Sequence, residues 1–271
     1  YYTPINSYNE KLKMLSPEKK IEAAKKMEQG ALQEYEQVSI DYCVLQTIEK
    51  TIALSNSKGL SLCHKKNGIV ANISTIAQQN GDVKTASEDW TSNDWSTFYP
   101  QEIGRKAGEK AASHSGAYSL PSGEYRVLLE NHVAAELLSA FAGIFYGENV
   151  QKGFSLLKGK LKEKIASSKV TLRDDGLLEN ISGSVPFDHE GVAVKNKIII
   201  ENGKLEAFLY NLKSAAKDRT VSTGNGFKNG YKNTVKTKCT NFYIQPGGKT
   251  TRTLMAQLGE GLLITDIAGL H

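Results

Sequence analysis

The chain of 271 residues is poor in cysteine, in long apolar runs and in paired histidines, and each shortage removes a class of function. Its three cysteines, Cys43, Cys63 and Cys239, lie far apart and form no C-x-x-C pair. A set so sparse and odd excludes a disulfide framework and fits free thiols in a reducing compartment, hence the cytoplasm. No apolar run approaches the roughly 18 residues that a helix needs to cross a bilayer, so no membrane association is expected. The opening YYTPINSYNEKLK lacks the apolar core of a secretion signal. The histidines, His64, His114, His132, His189 and His271, are isolated, and none lies four residues from another. A helical zinc pair of the commonest spacing is therefore excluded. There is no G-x-S-x-G elbow, no phosphate loop closed by Lys-Ser/Thr and no dinucleotide fingerprint.

What remains is an ordinary globular composition, 39% apolar and 23% charged, long enough for one large or two medium domains. The net charge of +5 comes mostly from lysines scattered among acids. That allows weak phosphate attraction, but no recognition module accompanies it, so specific nucleic-acid binding is not expected. The run Lys158 to Lys164 (KGKLKEK) reads as a solvated helix face.

The local patterns predict an α+β fold. Ser16-Pro17-Glu18 is a helix start, and the period of Ile21, Ala24, Met27 and Ala31 carries that helix to about Glu36. From Val38 the period shortens. Short β-branched runs, with turns at Asn56–Gly59, Lys66–Gly68 and Asn80–Asp82, predict an antiparallel meander. Trp90, Trp95, Phe98 and Tyr99 form an aromatic run, read as packing or as a stacking patch. A second helix spans Pro100–His114, and Ser115–Gly123 is the best linker. Residues 1–118 are thus expected to form one domain and 119–271 a second, β-rich one. The second would wrap on a buried central helix over 131–146, capped by Asn131 and stopped near Gly147, with Val133, Leu137, Ala140, Phe141 and Ile144 on one face. Beyond it come a strand at Lys169–Arg173 with a turn at Asp174–Gly176, a hairpin turning at Asn202-Gly203, a helix over Asn211–Arg219, a strand over Thr237–Gln245, a helix over Thr251–Leu258 and a last strand from Gly261 to Ile267.

Four stretches in fixed order, Asn56-Ser57-Lys58-Gly59, Phe187-Asp188-His189-Glu190-Gly191, Ile200-Glu201-Asn202-Gly203 and Ser222-Thr223-Gly224-Asn225, resemble motifs of the TldD/PmbA (TldD/TldE) family. That family was once described as modulators of DNA gyrase and is now read as a zinc metalloprotease system. In its TldD branch the helix after Leu-Leu carries H-E-x-x-x-H. Laying Leu137-Leu138 on that Leu-Leu places Ser139 and Ile144 where the histidine ligands stand and Ala140 where the catalytic Glu stands, while Gly143 matches. None of the three can bind zinc or move a proton, so the chain resembles the PmbA/TldE-like branch. The resemblance implies no catalytic residue and no cofactor in this chain, with zinc expected in a TldD-like partner. The abrupt strand-like end suggests a cut chain, and the resemblance implies a fragment lacking an N-terminal domain and a C-terminal tail.

From the resemblance follow a TldD-like paralogue as partner, with a homodimer as another assembly, and an unfolded protein or peptide as substrate. Asp188, Gly191, Thr223, Gly224 and Asn225 are candidates for holding an extended peptide, with structural turns as the competing reading. Two other readings stand beside this one: a stand-alone metallopeptidase using His189 and Glu190, and a non-enzymatic gyrase-modulating protein.

Overall fold

Asn9 opens the first helical turn, α1 (Glu10–Lys13), by accepting the Lys11 amide on its side chain. Helix α2 (Pro17–Leu32) begins as its sequence implies, with the Ser16 hydroxyl accepting the Lys19 N–H and Pro17 in the first turn. It ends at Leu32 rather than near Glu36, because Val38 N–H donates to the Tyr35 carbonyl in the turn that feeds the sheet. The computed structural model describes residues 1–181 and 183–270; Ser182 and the isolated histidine His271 lie outside the described residues.

Three long antiparallel strands follow: β1 (Val38–Ser55), β2 (Ser61–Gln79) and β3 (Asp82–Ser92), in that order across the sheet. Two of the expected turns are present, with Gly59, Asn80 and Gly81 at positive φ. The third is not. Lys66-Asn67-Gly68 runs through the middle of β2, where Asn67 pairs with Glu49. The reason is the Asn67 side chain, which is buried and exchanges two 2.8 Å hydrogen bonds with the Asn9 backbone. An Asn that reads as a turn former here anchors the N-terminal segment across a continuous strand.

Helix α3 (Pro100–Ser113) packs on α2, and both lie on the sheet. Their backbones meet at Gly30, Gly104 and Gly108. A Cβ on Gly104 would overlap the Met27 carbonyl, and one on Gly108 the Ala31 carbonyl. The core between helices and sheet is Met27, Ala31, Ala71, Ile73, Phe98 and Ala107. Trp90 stacks on Phe98 at 4.5 Å and Trp95 meets it edge-on at 5.1 Å, so these aromatics are packing material. Tyr99 remains exposed.

Irregular chain leads to β4 (Val127–Leu129), then directly into α4 (Asn131–Phe141). The expected buried helix over 131–146 is corrected here. Only Val133 of α4 is fully buried, Ala140 and Phe141 are exposed, and after Phe141 the chain tightens into a 3-10 turn over Ala142–Phe145. The cause is a strand-like crossing. Tyr146 bridges Leu209, Leu209 N–H donates to the Phe145 carbonyl, and Gly147 N–H donates to the Leu209 carbonyl, both hydrogen bonds at 2.9 Å. Gly147 does not stop the long helix; it opens α5 (Gly147–Lys152), and the Tyr210 ring occupies the space its Cβ would need. Glu130, not Asn131, sits at the cap of α4.

Lys158–Lys164 is not helical either. Lys162 N–H donates to the Leu205 carbonyl and Ile165 N–H to that of Gly203, so this stretch runs along the 203–205 hairpin. A four-stranded antiparallel sheet forms the second unit, ordered β10-β5-β6-β7. Its members are β5 (Leu172–Asp175), β6 (Asn196–Glu201), β7 (Lys204–Leu205) and β10 (Phe242–Ile244). Asp174 and Asp175 therefore belong to a buried strand and not to the expected turn. The remaining elements are α6 (Leu212–Lys217), with an Asn211/Ser214 capping box, a short ladder of β8 (Gly226–Phe227) with β9 (Lys236–Thr237), α7 (Thr251–Leu258) and β11 (Leu262–Ile264), which pairs parallel with β4. The strand expected over Thr237–Gln245 is thus split in two. The second core joins Phe145, Leu157, Leu172, Ile199, Leu205 and Leu209. The fold is α+β. The two units touch where the distal end of the β1–β2 hairpin meets residues 187–191: Leu54 and Leu60 lie against Gly191, and the Tyr2 hydroxyl donates to the Gly191 carbonyl at 2.7 Å.

Candidate functional site

Three positions on the α4 segment decide whether zinc fits. Ser139 and Ala140 are exposed near the end of α4. Ile144 lies in the 3-10 turn, half-buried against the second core. The turn's carbonyls are held by neighbours: Asn149 Nδ2 donates to Gly143 and Ser155 Oγ to Ile144, at 2.9 and 2.6 Å. A hydroxyl, a methyl and a core-facing branched alkyl group supply no imidazole, no carboxylate and no helical register joining 139 to 144. These residues do not fit a zinc ion. Among the described residues no group of three His, Cys, Asp or Glu could hold a metal ion.

The loops at 188–191 and 222–226 are joined into one unit. Asp188 is fully buried; its Oδ1 accepts the Glu190 and Val192 N–H groups at 2.9 Å, and its Oδ2 accepts Gly226 N–H at 2.8 Å. Burial pushes its carboxyl above the usual range, against the pull of those three donors. Gly191 has φ +80°, which a side chain would strain, and Leu60 already fills the space beside it. His189 donates its backbone N–H to the Gly226 carbonyl at 2.8 Å, and its Nδ1 accepts Lys228 N–H at 2.9 Å. Burial first, then the charges of Lys50, Lys228 and Lys66, hold the imidazole below its ordinary pKa. Glu190 Oε2 accepts the Leu212 N–H at the start of α6, at 2.7 Å, and burial raises its pKa.

Asn225 is equally enclosed. Its Nδ2 donates to Asp174 Oδ2 and to the Lys238 carbonyl, both at 2.8 Å, and its Oδ1 accepts the Thr223 hydroxyl at 2.7 Å. Asp174 completes the network, with Lys197 Nζ at 3.0 Å and Thr240 donating through both N and Oγ1. Gly224 packs against the Ala193 carbonyl so closely that a Cβ would overlap it. Asp188 and Asn225 thus spend their polar atoms on the protein itself and fix the loops. Of the five candidates, Gly191 and Thr223 are half-buried, while Asp188, Gly224 and Asn225 are buried. Sequence reasoning missed Asp174 and Lys197, the charged centre of this network. Asp174 sits in an Asp-Asp-Gly run that reads as a turn, and no local signal points Lys197 inward.

Comparison with known proteins agrees with this architecture. The family model described as the PmbA/TldA metallopeptidase central domain matches residues 10–114, and the one described as the PmbA/TldA metallopeptidase C-terminal domain matches 122–271. A metalloprotease PmbA homologue from Buchnera aphidicola is 27% identical over 92% of this chain and 54% of its own length. A metalloprotease TldD homologue from Haemophilus influenzae is 25% identical over 99% of this chain and 57% of its own length. A solved structure from Thermotoga maritima, named for modulation of a DNA gyrase, superimposes with TM-score 0.93 at 31% identity, over 100% of this chain and 62% of that one. TldE from Thermococcus kodakarensis shares the fold, with TM-score 0.86 at 22% identity, over 97% of this chain and 60% of that one. The chain spans little more than half the length of these two curated relatives.

Proposed function

The chain belongs to the PmbA/TldD metallopeptidase family, and we propose that within it the chain is a PmbA/TldE-like subunit without its own zinc site. In this reading it works in the cytoplasm beside a zinc-bearing TldD-like paralogue and shapes the cleft in which peptides and unfolded proteins are processed or degraded. The observation that carries it is the α4 segment: Ser139 and Ala140 offer no ligand or base, and Ile144 is turned to the core. The joined loops suit a fixed wall, with Gly191 and Thr223 as the candidates nearest to a peptide and Asp188, Gly224 and Asn225 holding them in place.

A stand-alone metallopeptidase built on His189 and Glu190 has less support, since His189 Nδ1 and Glu190 Oε2 already accept backbone N–H groups. The test is a peptidase assay on unfolded peptides with the full-length protein alone, the TldD-like paralogue alone, and the two together. Activity in the mixture above that of the paralogue supports the helper role, and activity of this chain alone contradicts it.

A further inference from the structure

A groove of about 350 Å³ runs between β1 and the loop after β8, lined among others by Lys50, Ala53, Leu54, His189, Lys228 and Tyr231. Every residue from Lys50 to Leu54 contributes to it. Successive strand residues point to opposite faces, so an unbroken run of five means that the groove follows the edge of β1 and not one face. That edge is open: β1 is the outer strand of its sheet and, among the described residues, pairs with β2 alone. Asn56 N–H donates to the Leu60 carbonyl, which sets the phase of the ladder. With the register Thr51↔Lys65 and Ala53↔Cys63, Thr51 and Ala53 then present their N–H and C=O groups to the groove.

The walls are basic. Lys50 and Lys228 form no ion pair among the described residues, and their fields, with that of Lys66, reach the His189 imidazole. The carboxylates of the adjoining loop are engaged elsewhere: Asp188 is buried on backbone donors, and Glu190 accepts the Leu212 N–H, while Glu49, next to Lys50, accepts the Tyr8 hydroxyl. The chain supplying the far wall is one-signed as well, with no Asp or Glu from Arg219 to Gly259. Tyr231, 85% exposed, gives this wall an aromatic face.

We propose that this groove binds an acidic peptide segment in extended form, paired to the open edge of β1 and read by Lys50 and Lys228. Five strand residues give a track of about 17 Å. Acidic side chains on the peptide meet the lysines, while its backbone satisfies Thr51 and Ala53, the mode of strand addition. The inference rests on the peptide-handling reading above and adds which peptides are held.

Fluorescence anisotropy of the full-length protein tests it with three labelled decapeptides: one alternating Val and Glu, its Val-Gln counterpart, and the Val-Glu peptide N-methylated at alternate amides. Two screened charge pairs predict about tenfold tighter binding of the Glu peptide than of the Gln peptide at low salt, fading as salt rises. The double variant Lys50→Gln, Lys228→Gln should lose that preference and keep its affinity for the Gln peptide, which also reports that the groove is folded. The N-methylated peptide should bind at least tenfold more weakly, having lost its edge donors. Equal affinity for Glu and Gln peptides, equal loss of both in the double variant, or full affinity of the N-methylated peptide would overturn the proposal. So would tighter binding of an oligothymidylate with the same lysine dependence, which would make the groove a phosphate site. If the Glu peptide binds as described but the mixture with the paralogue shows no added cleavage, the helper role fails and the groove stands. Added cleavage without selective binding has the opposite meaning: the helper role stands and the groove assignment fails.

Discussion

At the scale of single residues, the second unit depends on side chains whose polar atoms are all committed. Asn225 connects Thr223, Asp174 and the Lys238 carbonyl in a fully buried position. Asn225→Ala should cost about 3 kcal/mol, since it strips a partner from a buried carboxylate and orphans a buried carbonyl. A urea melt that moves by less than about 1 kcal/mol would contradict this assignment. His189 gives a pH signature. Its native pKa lies below the ordinary 6.5, so the unfolded chain takes up the proton first. The stability it supports is complete above pH 6.5 and is lost as pH falls towards the native value. Asp188, Glu190 and Glu88 have raised values and act in the opposite sense, favouring the fold as pH falls towards their ordinary ranges. The informative quantity is therefore a difference. Against His189→Asn, whose Oδ1 can still accept Lys228 N–H, the native protein should lose stability between pH 7 and 5. Parallel curves would show that the imidazole does not titrate in place.

At the scale of elements, much was legible where short-range chemistry decides. Ser16-Pro17 starts α2, Asn202-Gly203 turns the β6–β7 hairpin, and α7 spans Thr251–Leu258 as its pattern implies. The failures are long-range. Nothing near Asn67 reveals that its amide is claimed by Asn9, and nothing near Phe141 reveals that Leu209 will draw Tyr146 out of a helix. The helical period over 131–146 is real in the sequence, yet the distant chain overrides it.

Two predictions belong here. Gly104→Ala puts a methyl onto the Met27 carbonyl at the α2–α3 crossing and should destabilise by about 1–3 kcal/mol, read as a lower urea midpoint. An unchanged midpoint would mean that the helices can part without cost. The triple replacement Ser139→His, Ala140→Glu, Ile144→His writes the zinc motif into the chain. It should still bind no stoichiometric zinc, because the 3-10 turn breaks the register between 139 and 144. Elemental analysis of the purified variant decides, and one zinc per chain would refute the broken register as the obstacle.

At the scale of the whole molecule, two units meet where the β1–β2 hairpin lies on the 187–191 loop, so that the 187–191 motif faces the strand ends flanking the 56–59 motif. Leu54 and Gly191 are remote in sequence, which is why the motifs could be recognised singly but their contact could not be read. Among the described residues no helix is long and apolar enough to cross a membrane. Under the proposed function, this chain contributes shape and substrate contact to a peptidase whose metal belongs to a partner. The most direct measurement is the zinc content of the full-length protein, taken together with peptide cleavage alone and with the TldD-like paralogue. A helper subunit should show no stoichiometric zinc, no cleavage alone, and cleavage in the mixture beyond the paralogue's own. One zinc per chain with cleavage by the isolated protein would contradict it.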